Sequence, residues 1–594
     1  MVATPSPSEM DGDGRVLRVM TWNVAAVNNN PFEYFVTHDD PAYNRLMADV
    51  EAFVEEDDPR ACHVTVGDLV DDTMFDNLAA LMTREGFAGV EETVEYWHTS
   101  LKNRRVVSGF LKDKAIGAKR LCSMPDRVTN TINTAAGVTY RPCVINCYAP
   151  EMPTVSAWWE QWKTFMFDTD VRVVTKSGAS SATRVCKLLD PISRSKYPAV
   201  SEAEEAISLP LQIACMAAFD AILVHIVNVV APEAWHGVKM AMVNALHTNK
   251  TARTLDILAG PAYATCDVIF LQEAAAAFVS RLEQHPVLGA RYHVLSPEKL
   301  DGKRDQNSII LAARTRFDII DGGNQGEKET EIETETKTKT EMQLSLATAG
   351  MEGWEGEVTA EVSKHLGAGG TRALVAPGDL FVVRCVERSA DGGAGSRRRF
   401  LLASFHGDTN GLATVPVVDA LHKYMRLREV DEAAAAGKPT DAPPPPLLVL
   451  GIDANTHVAH EEGTRQGVVE FAAHLSSLGL ASCWGAADPR VHTTYNARTF
   501  LQPQLNKAVR MADRATSPLT DRHPKDHVVF SRGYGAGAGA RSGSRAMAGF
   551  RAKLVSRDNS GDGTFLPDAP FPTLRFPSDH AAVCAELEPV RFER

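Results

Sequence analysis

Short runs of apolar residues, bounded by Gly, Pro or charged residues, recur at both ends of this 594-residue chain. Runs of this length that stop abruptly are typical of buried strands. The clearest is LLVLGI (447–452), which follows the four prolines at 443–446. The pattern predicts strands at 16–24, 266–272, 307–313, 379–387, 399–407, 447–452, 526–531 and 580–587.

Between roughly 40 and 260 the apolar residues instead recur at helical spacing, as in VSAWWEQWKTFMF (155–167). This spacing predicts a helix-rich block that interrupts the strand pattern. Its longest apolar run, 209–232, is about long enough to cross a bilayer. The run carries Asp220 near its middle, however, and a carboxylate at the centre of a membrane span is costly. We therefore predict a buried core helix and no membrane association, with a membrane segment as the less favoured alternative.

Three stretches are rich in charge, Gly, Ala or Pro and poor in large apolar residues. This composition is typical of exposed loops that add nothing to a core. They lie at 322–345, 431–446 and 533–549. Each lies between predicted strands, which favours insertions on one scaffold over linkers between domains.

The overall composition is that of an ordinary soluble protein, with 44% hydrophobic and 23% charged residues. A net charge of −13 disfavours a wide electrostatic surface for nucleic acid. The ten cysteines are scattered without a second pair at zinc-site spacing, as expected of reduced thiols. Because the N-terminal residues lack a basic start and an apolar core, we expect a cytoplasmic or nuclear location.

Polar residues collect at the ends of the predicted strands. Any one of them alone has an ordinary explanation, such as a turn or a solvated surface. Together they offer oxygen ligands for a hard divalent cation, a base for water and donors for a phosphate. They are Asn23, Gln272, Glu273, His406, Asp453, Asn455, Asp526, Ser578, Asp579 and His580.

In chain order these residues lie in TWN (21–23), LQE (271–273), GIDAN (451–455) and PSDH (577–580). With His406 and Asp526, this series resembles the endonuclease/exonuclease/phosphatase superfamily. The final PSDHAAVCAELE is similar to that of the nocturnin-type deadenylases. The resemblance implies an α/β fold, a four-layer αββα sandwich like deoxyribonuclease I, with a large helix-rich insertion after the first strand. The catalytic domain would then comprise 14–30 and 262–590, and the insertion 31–261.

The resemblance also implies roles for individual residues. Asn23 and Glu273 would hold Mg²⁺, with Mn²⁺ as an alternative, and Asp579 would assist at the metal. Asp453 and Asn455 would place the attacking water and the phosphate. The remaining roles are phosphate contact by His580, orientation of its imidazole by Asp526, phosphate binding or proton donation by His406, and substrate binding by Asn28, Asn30 and Asn410.

The chain also departs from the family pattern. About two hundred and fifty residues separate Asn23 from Glu273, and the Gly of GIDAN is shifted by one position. We predict a Mg²⁺-dependent phosphodiesterase, a nuclease acting on RNA or nucleotides, with no obligate protein partner. One alternative is a phosphatase or phospholipase C-type enzyme acting on inositol phosphate or sphingomyelin. Another is a non-catalytic interaction scaffold.

Overall fold

The structure is a computed structural model, and the chain forms two compact units. The first comprises Met1–Ala26, Thr251–Tyr495 and Arg522–Arg594, and the second Val27–Lys250 and Asn496–Asp521. The residues that it describes are 15–26, 29–32, 40–55, 60, 63–119, 127–134, 136–173, 181–302, 304–318, 356–367, 374–388, 398–435, 446–497, 520–532 and 549–590.

The strands form two large sheets in the first unit and short hairpins elsewhere. They are β1 Leu17–Asn23, β2 Thr131–Thr134, β3 Gly137–Tyr140, β4 Asp170–Arg172, β5 Ala182–Arg184, β6 Val268–Ala274, β7 Tyr292–Leu295, β8 Asn307–Ala313, β9 Phe317–Asp318, β10 Gly356–Glu357, β11 Leu380–Glu387, β12 Arg399–His406, β13 Leu447–Asp453, β14 Leu480–Ser482, β15 Thr494–Ala497, β16 Thr520–His523, β17 Asp526–Ser531, β18 Gly549–Asp558 and β19 Ala582–Val590.

The strand order in the first sheet is β18-β19-β1-β6-β8-β7, and only β1 and β6 of these neighbours are parallel. The order in the second sheet is β10-β11-β12-β13-β17-β14, with β9 also paired to β11. Its β12 and β13 are parallel. Each sheet thus has one central parallel pair, whose two carboxyl ends lie side by side.

Helices account for most of the second unit and flank the sheets of the first. They are α1 Pro41–Val54, α2 Val66–Leu69, α3 Asp72–Arg84, α4 Val90–Tyr96, α5 Lys114–Lys119, α6 Arg127–Asn130, α7 Val155–Asp168, α8 Glu202–Ala206, α9 Ser208–Val230, α10 Trp235–Val243, α11 Lys250–Ala259, α12 Ala276–Gln284, α13 Leu288–Arg291, α14 Thr359–Ser363, α15 Thr414–Ala435 and α16 Val468–Ser477.

The first unit is layered, because its two sheets share a buried core. Side chains from the first sheet, such as Phe270, pack with Phe400 and Val449 from the second. The outer face of the first sheet packs against α11, α12 and α13, and that of the second against α14, α15 and α16. Alternation along each strand sends one set of side chains to each face. The predicted α/β class is confirmed.

All eight predicted strands are observed, with ends within three residues of the prediction. The predicted loop 431–446 begins too early, because α15 continues through the helix-forming run DEAAA to Ala435. The stretch 322–345, and 533–549 up to its last residue, lie outside the described residues. β18 was not predicted, because the polar residues Arg551, Lys553, Ser556 and Arg557 interrupt its apolar pattern.

The unit boundaries also differ from the predicted insertion, 31–261. Residues 251–261 belong to the first unit, since Leu255 and Leu258 of α11 pack in the core beside Met20 and Ile269. Asn496–Asp521, predicted as part of the catalytic domain, belongs to the second unit. Helical spacing in α11 resembles that of the block before it, so the sequence pattern could not separate the two.

The second unit is built around α9, the predicted core helix. By length and composition α9 could cross a membrane, but 78% of its most apolar window is buried within the protein. Asp220 of α9 is fully buried and pairs with Nε of Arg141 at 2.7 Å. The indole nitrogen of Trp162, in α7, donates to the same carboxylate at 3.0 Å. The costly buried charge is thus neutralised inside the unit, as a core helix requires.

Candidate active site

The predicted strand-end residues lie in two rows at the carboxyl ends of the parallel pairs. In the second sheet, His406 is opposite Asp453, and Asp453 is opposite Asp526. In the first sheet, Asn23 is opposite Gln272, which directly precedes Glu273. Asp526 begins an antiparallel strand, so the start of β17 lies beside the end of β13. The sheet register therefore gathers residues that are far apart in sequence.

Asn23 connects the two rows. Its Nδ2 donates to Oε1 of Glu273 at 3.0 Å and to Oδ2 of Asp453 at 2.9 Å. Its Oδ1 accepts from the backbone nitrogen of Ala25 at 2.8 Å. The amide oxygen is therefore committed to the backbone, and the amide nitrogen faces the carboxylates. In this arrangement Asn23 positions the two carboxylates, and its role as a metal ligand stays a prediction.

Glu273 is surrounded by donors. The backbone nitrogen of Ala26 and Nε2 of Gln306 donate to its Oε2 at 2.8 and 3.2 Å. Nε2 of His406 lies 3.1 Å from its Oε1. Burial alone would raise the pKa of Glu273, but His406 and these hydrogen bonds lower it well below its usual range. Glu273 is therefore a carboxylate at neutral pH.

His406 lies among three carboxylates. Besides Glu273, Oδ2 of Asp453 is 3.7 Å from its Nε2, and Oδ1 of Asp379 is 3.9 Å from its Nδ1. Burial would lower the pKa of His406, but Glu273, Asp379 and Asp453 raise it well above the usual value. His406 therefore carries a positive charge beside the acidic residues, and it is a proton donor by charge state.

The backbone is strained at two of these positions. Glu273 has φ of 54° and Asn455 has φ of 48°. Residues other than glycine seldom adopt positive φ, and such strain clusters at functional sites. The pairing of β6 with β8 also shifts register between Leu271 and Ala274, around Glu273. An irregularity of this kind redirects a side chain from the regular alternation of a strand.

His580 forms a second group with two aspartates. Its Nδ1 lies 2.9 Å from Oδ2 of Asp526, and its Nε2 lies 3.7 Å from Oδ2 of Asp453. Burial would lower the pKa of His580, but Asp526 and Asp453 outweigh burial and raise it to about 10. The indole of Trp22 donates to the backbone oxygen of His580 at 2.9 Å. His580 is thus a protonated imidazole that Asp526 holds at Nδ1, and its Nε2 faces Asp453.

Asp453 belongs to both groups. The ligand atoms of Glu273, His406 and Asp453 lie within 4.8 Å of one another, as do those of Asp453, Asp526 and His580. Burial would raise the pKa of Asp453, but the positive charges of His580, His406 and Lys525 lower it. One ionised carboxylate therefore lies between an acidic pocket and a histidine–aspartate pair.

The roles predicted for Asp579, Asn28, Asn30 and Asn410 stay predictions. Asp579 lies at a bend directly before His580 and is absent from both sets of converging atoms. Asn30 belongs to the second unit, and its Oδ1 accepts from the backbone nitrogen of Phe32 at 3.1 Å. Asn410 follows β12 with an exposed side chain. Asn28 lies outside the described residues.

The sequence analysis missed Asp379, Gln306 and Lys525. Asp379 is buried immediately before β11, and Nη1 of Arg304 donates to its Oδ1 at 2.8 Å. Asp379 precedes a strand antiparallel to β12, just as Asp526 begins a strand antiparallel to β13. A polar residue at the start of a strand therefore lies at the same edge of the sheet as the carboxyl end of an antiparallel neighbouring strand. The sequence did not reveal these residues, because the direction of a strand in a sheet cannot be read from it.

The converging carboxylate oxygens are suitable ligands for a hard divalent cation. Glu273 and Asp453 are ionised, their oxygens converge, and Asn23 holds both. Carboxylate oxygens are the ligands that Mg²⁺ and Mn²⁺ prefer. Glu273 and Asp453 would hold such an ion. The identity of the ion as Mg²⁺ rather than Mn²⁺ is a proposal.

Comparison with known proteins gives one family-model match and several matches to solved structures. A family model described as "Domain of unknown function (DUF8234)" matches residues 63–240. No curated protein matches this sequence. Among solved structures, the chain is similar to zebrafish (D. rerio) TDP2 complexed with a single-strand DNA product, at 13% identity and a TM-score of 0.29. That match covers 58% of this chain and 95% of the other.

Two further solved structures resemble the same share of the chain. An endonuclease/exonuclease/phosphatase family protein from Bacteroides thetaiotaomicron is 16% identical, with a TM-score of 0.31 over 59% of this chain and 94% of that one. The human Nocturnin catalytic domain with bound sulfate is 12% identical, with a TM-score of 0.28 over 59% and 89%.

Proposed function

We propose that this protein is a divalent-metal-dependent phosphodiesterase. The observation that carries the proposal is the position of Asp453, shared between the group with Glu273 and His406 and the group with Asp526 and His580. A cation site and a charged imidazole then lie on either side of one carboxylate. Hydrolysis of a phosphodiester needs these functions together: a place for the attacking water, and positive charge for the phosphate oxygens.

The charge state of each residue indicates its role in hydrolysis. Asp453 is ionised and accepts hydrogen bonds, so it is suited to orient water and take its proton. His580 is protonated and held by Asp526, so it is suited to donate to a phosphate oxygen. His406 is protonated beside Glu273 and is a second donor. A bound Mg²⁺ would supply a Lewis acid that offsets the charge developing on the phosphate.

The substrate is proposed to be RNA or a nucleotide, a choice that rests on the sequence resemblance to nocturnin-type deadenylases. The net charge of −13 favours a local contact over a broad duplex-binding surface. A phosphatase or phospholipase using the same residues is the alternative that a substrate panel must separate.

The test is hydrolysis of bis-p-nitrophenyl phosphate by purified protein across a Mg²⁺ titration, with Asp453→Asn as the inactive comparison. A panel of single-stranded RNA, abasic duplex DNA, nucleotide phosphates, inositol phosphates and sphingomyelin then assigns the substrate. We expect Mg²⁺-dependent turnover that Asp453→Asn reduces by at least about a hundredfold. Turnover on the lipid alone would contradict the nuclease proposal, and no turnover on any ester would contradict the enzyme proposal.

A further inference from the structure

The side-chain amide of Asn455 is fully occupied within the protein. Its Nδ2 donates to the backbone oxygen of Gly407 at 2.9 Å and lies 3.4 Å from Oδ2 of Asp453. An amide nitrogen carries two hydrogens, so both are directed to these protein oxygens. Asn455 is 4% exposed. In this arrangement no side-chain hydrogen of Asn455 is left to donate to a phosphate.

The amide oxygen of Asn455 holds a different donor. Nζ of Lys525 donates to Oδ1 of Asn455 at 2.8 Å. An ammonium carries three hydrogens, and this is the one hydrogen bond of Nζ within the described chain. Two hydrogens of Lys525 therefore remain for another acceptor. Its side chain is only half-buried, so that acceptor can arrive from solvent.

Lys525 is fixed close to the catalytic residues. Its backbone nitrogen donates to Oγ1 of Thr493 at 2.9 Å, and the backbone nitrogen of Ala454 donates to its oxygen at 2.8 Å. It directly precedes Asp526, and its charge is one of those that lower the pKa of Asp453. Its backbone oxygen and its ammonium are thus both tied to the segment that carries Asp453 and Asn455.

The geometry points to Lys525 as a phosphate-binding residue of this site. We infer that its ammonium, positioned by Asn455, donates to a non-bridging oxygen of a phosphate group bound beside Asp453. This inference rests on the proposed function for the location of the phosphate. A charged donor held in place before the substrate arrives binds an anion more strongly than a free surface lysine, because little side-chain entropy remains to be lost.

The test measures inorganic phosphate binding by calorimetry, in saturating Mg²⁺ and again in EDTA, together with kcat and KM on bis-p-nitrophenyl phosphate. The variants are Lys525→Gln, Lys525→Arg and the control Lys423→Gln, which removes the same charge from an exposed position on α15. We expect Lys525→Gln to weaken phosphate binding by at least about tenfold in Mg²⁺. The phosphate affinity of Lys525→Arg should stay within about threefold of that of wild type. The phosphate affinity of Lys423→Gln should equal that of wild type.

Equal phosphate affinity in wild type and Lys525→Gln would overturn the inference, as would undetectable binding in wild type. If Lys525→Gln fails to fold by circular dichroism, Lys525→Met is judged by the same affinity criterion. If both unfold, Lys525 is a structural residue and the inference is wrong. Phosphate binding that depends on Lys525 without any ester hydrolysis would reject the proposed function alone. If Lys525→Gln hydrolyses the ester and binds phosphate as wild type does, this inference alone is rejected.

Discussion

At the scale of single residues, one oxygen atom organises the site. Oδ2 of Asp453 accepts from Asn23 at 2.9 Å, lies 3.4 Å from Nδ2 of Asn455, and faces His406 and His580 at 3.7 Å each. Four nitrogens thus surround one buried oxygen. Such a dense set of donors keeps the carboxylate ionised, and it couples the residues so that a change in one alters the others.

Glu273→Gln should remove most of the cation binding while leaving the fold intact. The substitution keeps the shape of the side chain but replaces one of the two converging carboxylates with a neutral amide. We expect the Mg²⁺ dissociation constant, measured by calorimetry, to rise at least about tenfold. Glu283→Gln, at an exposed position of α12, is the matched control. Unchanged Mg²⁺ affinity would mean that the ligands lie elsewhere.

Asp526 and His580 should behave as one functional unit. The carboxylate lies 2.9 Å from the imidazole nitrogen, and it keeps the ring oriented and charged. If this is the role of Asp526, the double variant Asp526→Asn/His580→Gln should be scarcely slower than the poorer single variant. Each single change is expected to cost about a hundredfold or more in kcat/KM. Losses that simply multiply in the double variant would show that the two residues act independently.

At the scale of elements, close packing of the two sheets explains the glycine in GIDAN. A Cβ built on Gly451 in β13 would lie 2.3 Å from Cβ of Phe270 in β6. The ring of Phe270 therefore fills the space where a side chain would stand. The contact between the sheets thus accounts for a residue without a side chain at position 451.

Gly451→Ala should destabilise the protein by about 1–3 kcal/mol, the usual cost of overpacking a core. Gly237→Ala is the control, because a Cβ on that helical glycine meets nothing within 4 Å. That control should be neutral or stabilising by about 0.5–1 kcal/mol. Thermal unfolding measures both changes. Adding Phe270→Leu to Gly451→Ala should recover part of the loss, and no recovery would show that the strain lies elsewhere.

The start of β17 should also make stability depend on pH. His527 is fully buried between Ser482 and Thr456, and burial lowers its pKa to about 4 from a usual value of 6.5. The unfolded state therefore binds a proton first as pH falls from 6.5 towards 4, and stability is lost across that window. When pH has fallen below about 4, this difference in pKa has lowered the free energy of unfolding by about 3 kcal/mol.

Urea unfolding of wild type and His527→Gln between pH 7 and pH 4 tests this expectation. The glutamine cannot be protonated, so the variant should lose less stability on acidification than wild type. Using the difference between the two proteins removes the opposite contribution of His406 and His580, whose raised pKa values favour the folded state at lower pH. Parallel pH profiles would show that His527 does not titrate in this window.

At the scale of the whole molecule, two units with separate cores share one chain. The core of the second unit draws on α1, α7 and α9, whereas the first unit has its own clusters between and outside the sheets. The chain leaves the first unit after Ala26, just beyond the strand that carries Asn23, and returns at Thr251 before the strand that carries Glu273. We predict from this connection that the second unit influences substrate choice.

Replacement of Val27–Lys250 by a Gly/Ser connector tests the prediction. The cut removes only the first residue of α11, whose apolar side chains belong to the core of the first sheet. We expect the product to fold and to hydrolyse bis-p-nitrophenyl phosphate within about tenfold of the full chain, while its preference among natural esters is lost. A second replacement that extends to residue 261 should be unstable. Unaltered substrate preference in the first product would assign the second unit to a different function.

The sequence by itself determined the strands and the chemistry of their ends. Abrupt apolar runs located all eight predicted strands, and the order of polar residues identified Glu273, Asp453, Asp526 and His580, because strand periodicity and residue chemistry are local properties. The apolar run with Asp220 at its centre was also interpretable as a core helix, since a buried charge needs a partner that only a folded protein supplies.

Only the tertiary structure decided which groups those polar residues form. Asn23 bridges the carboxylates of Glu273 and Asp453, because the sheet register brings side chains from distant segments together. Asp379 and Lys525 enter the site from strands that run antiparallel to their neighbours, and strand direction depends on contacts between distant segments. The boundary at Thr251 was likewise invisible, because helical spacing shows that a face is buried but not which core buries it.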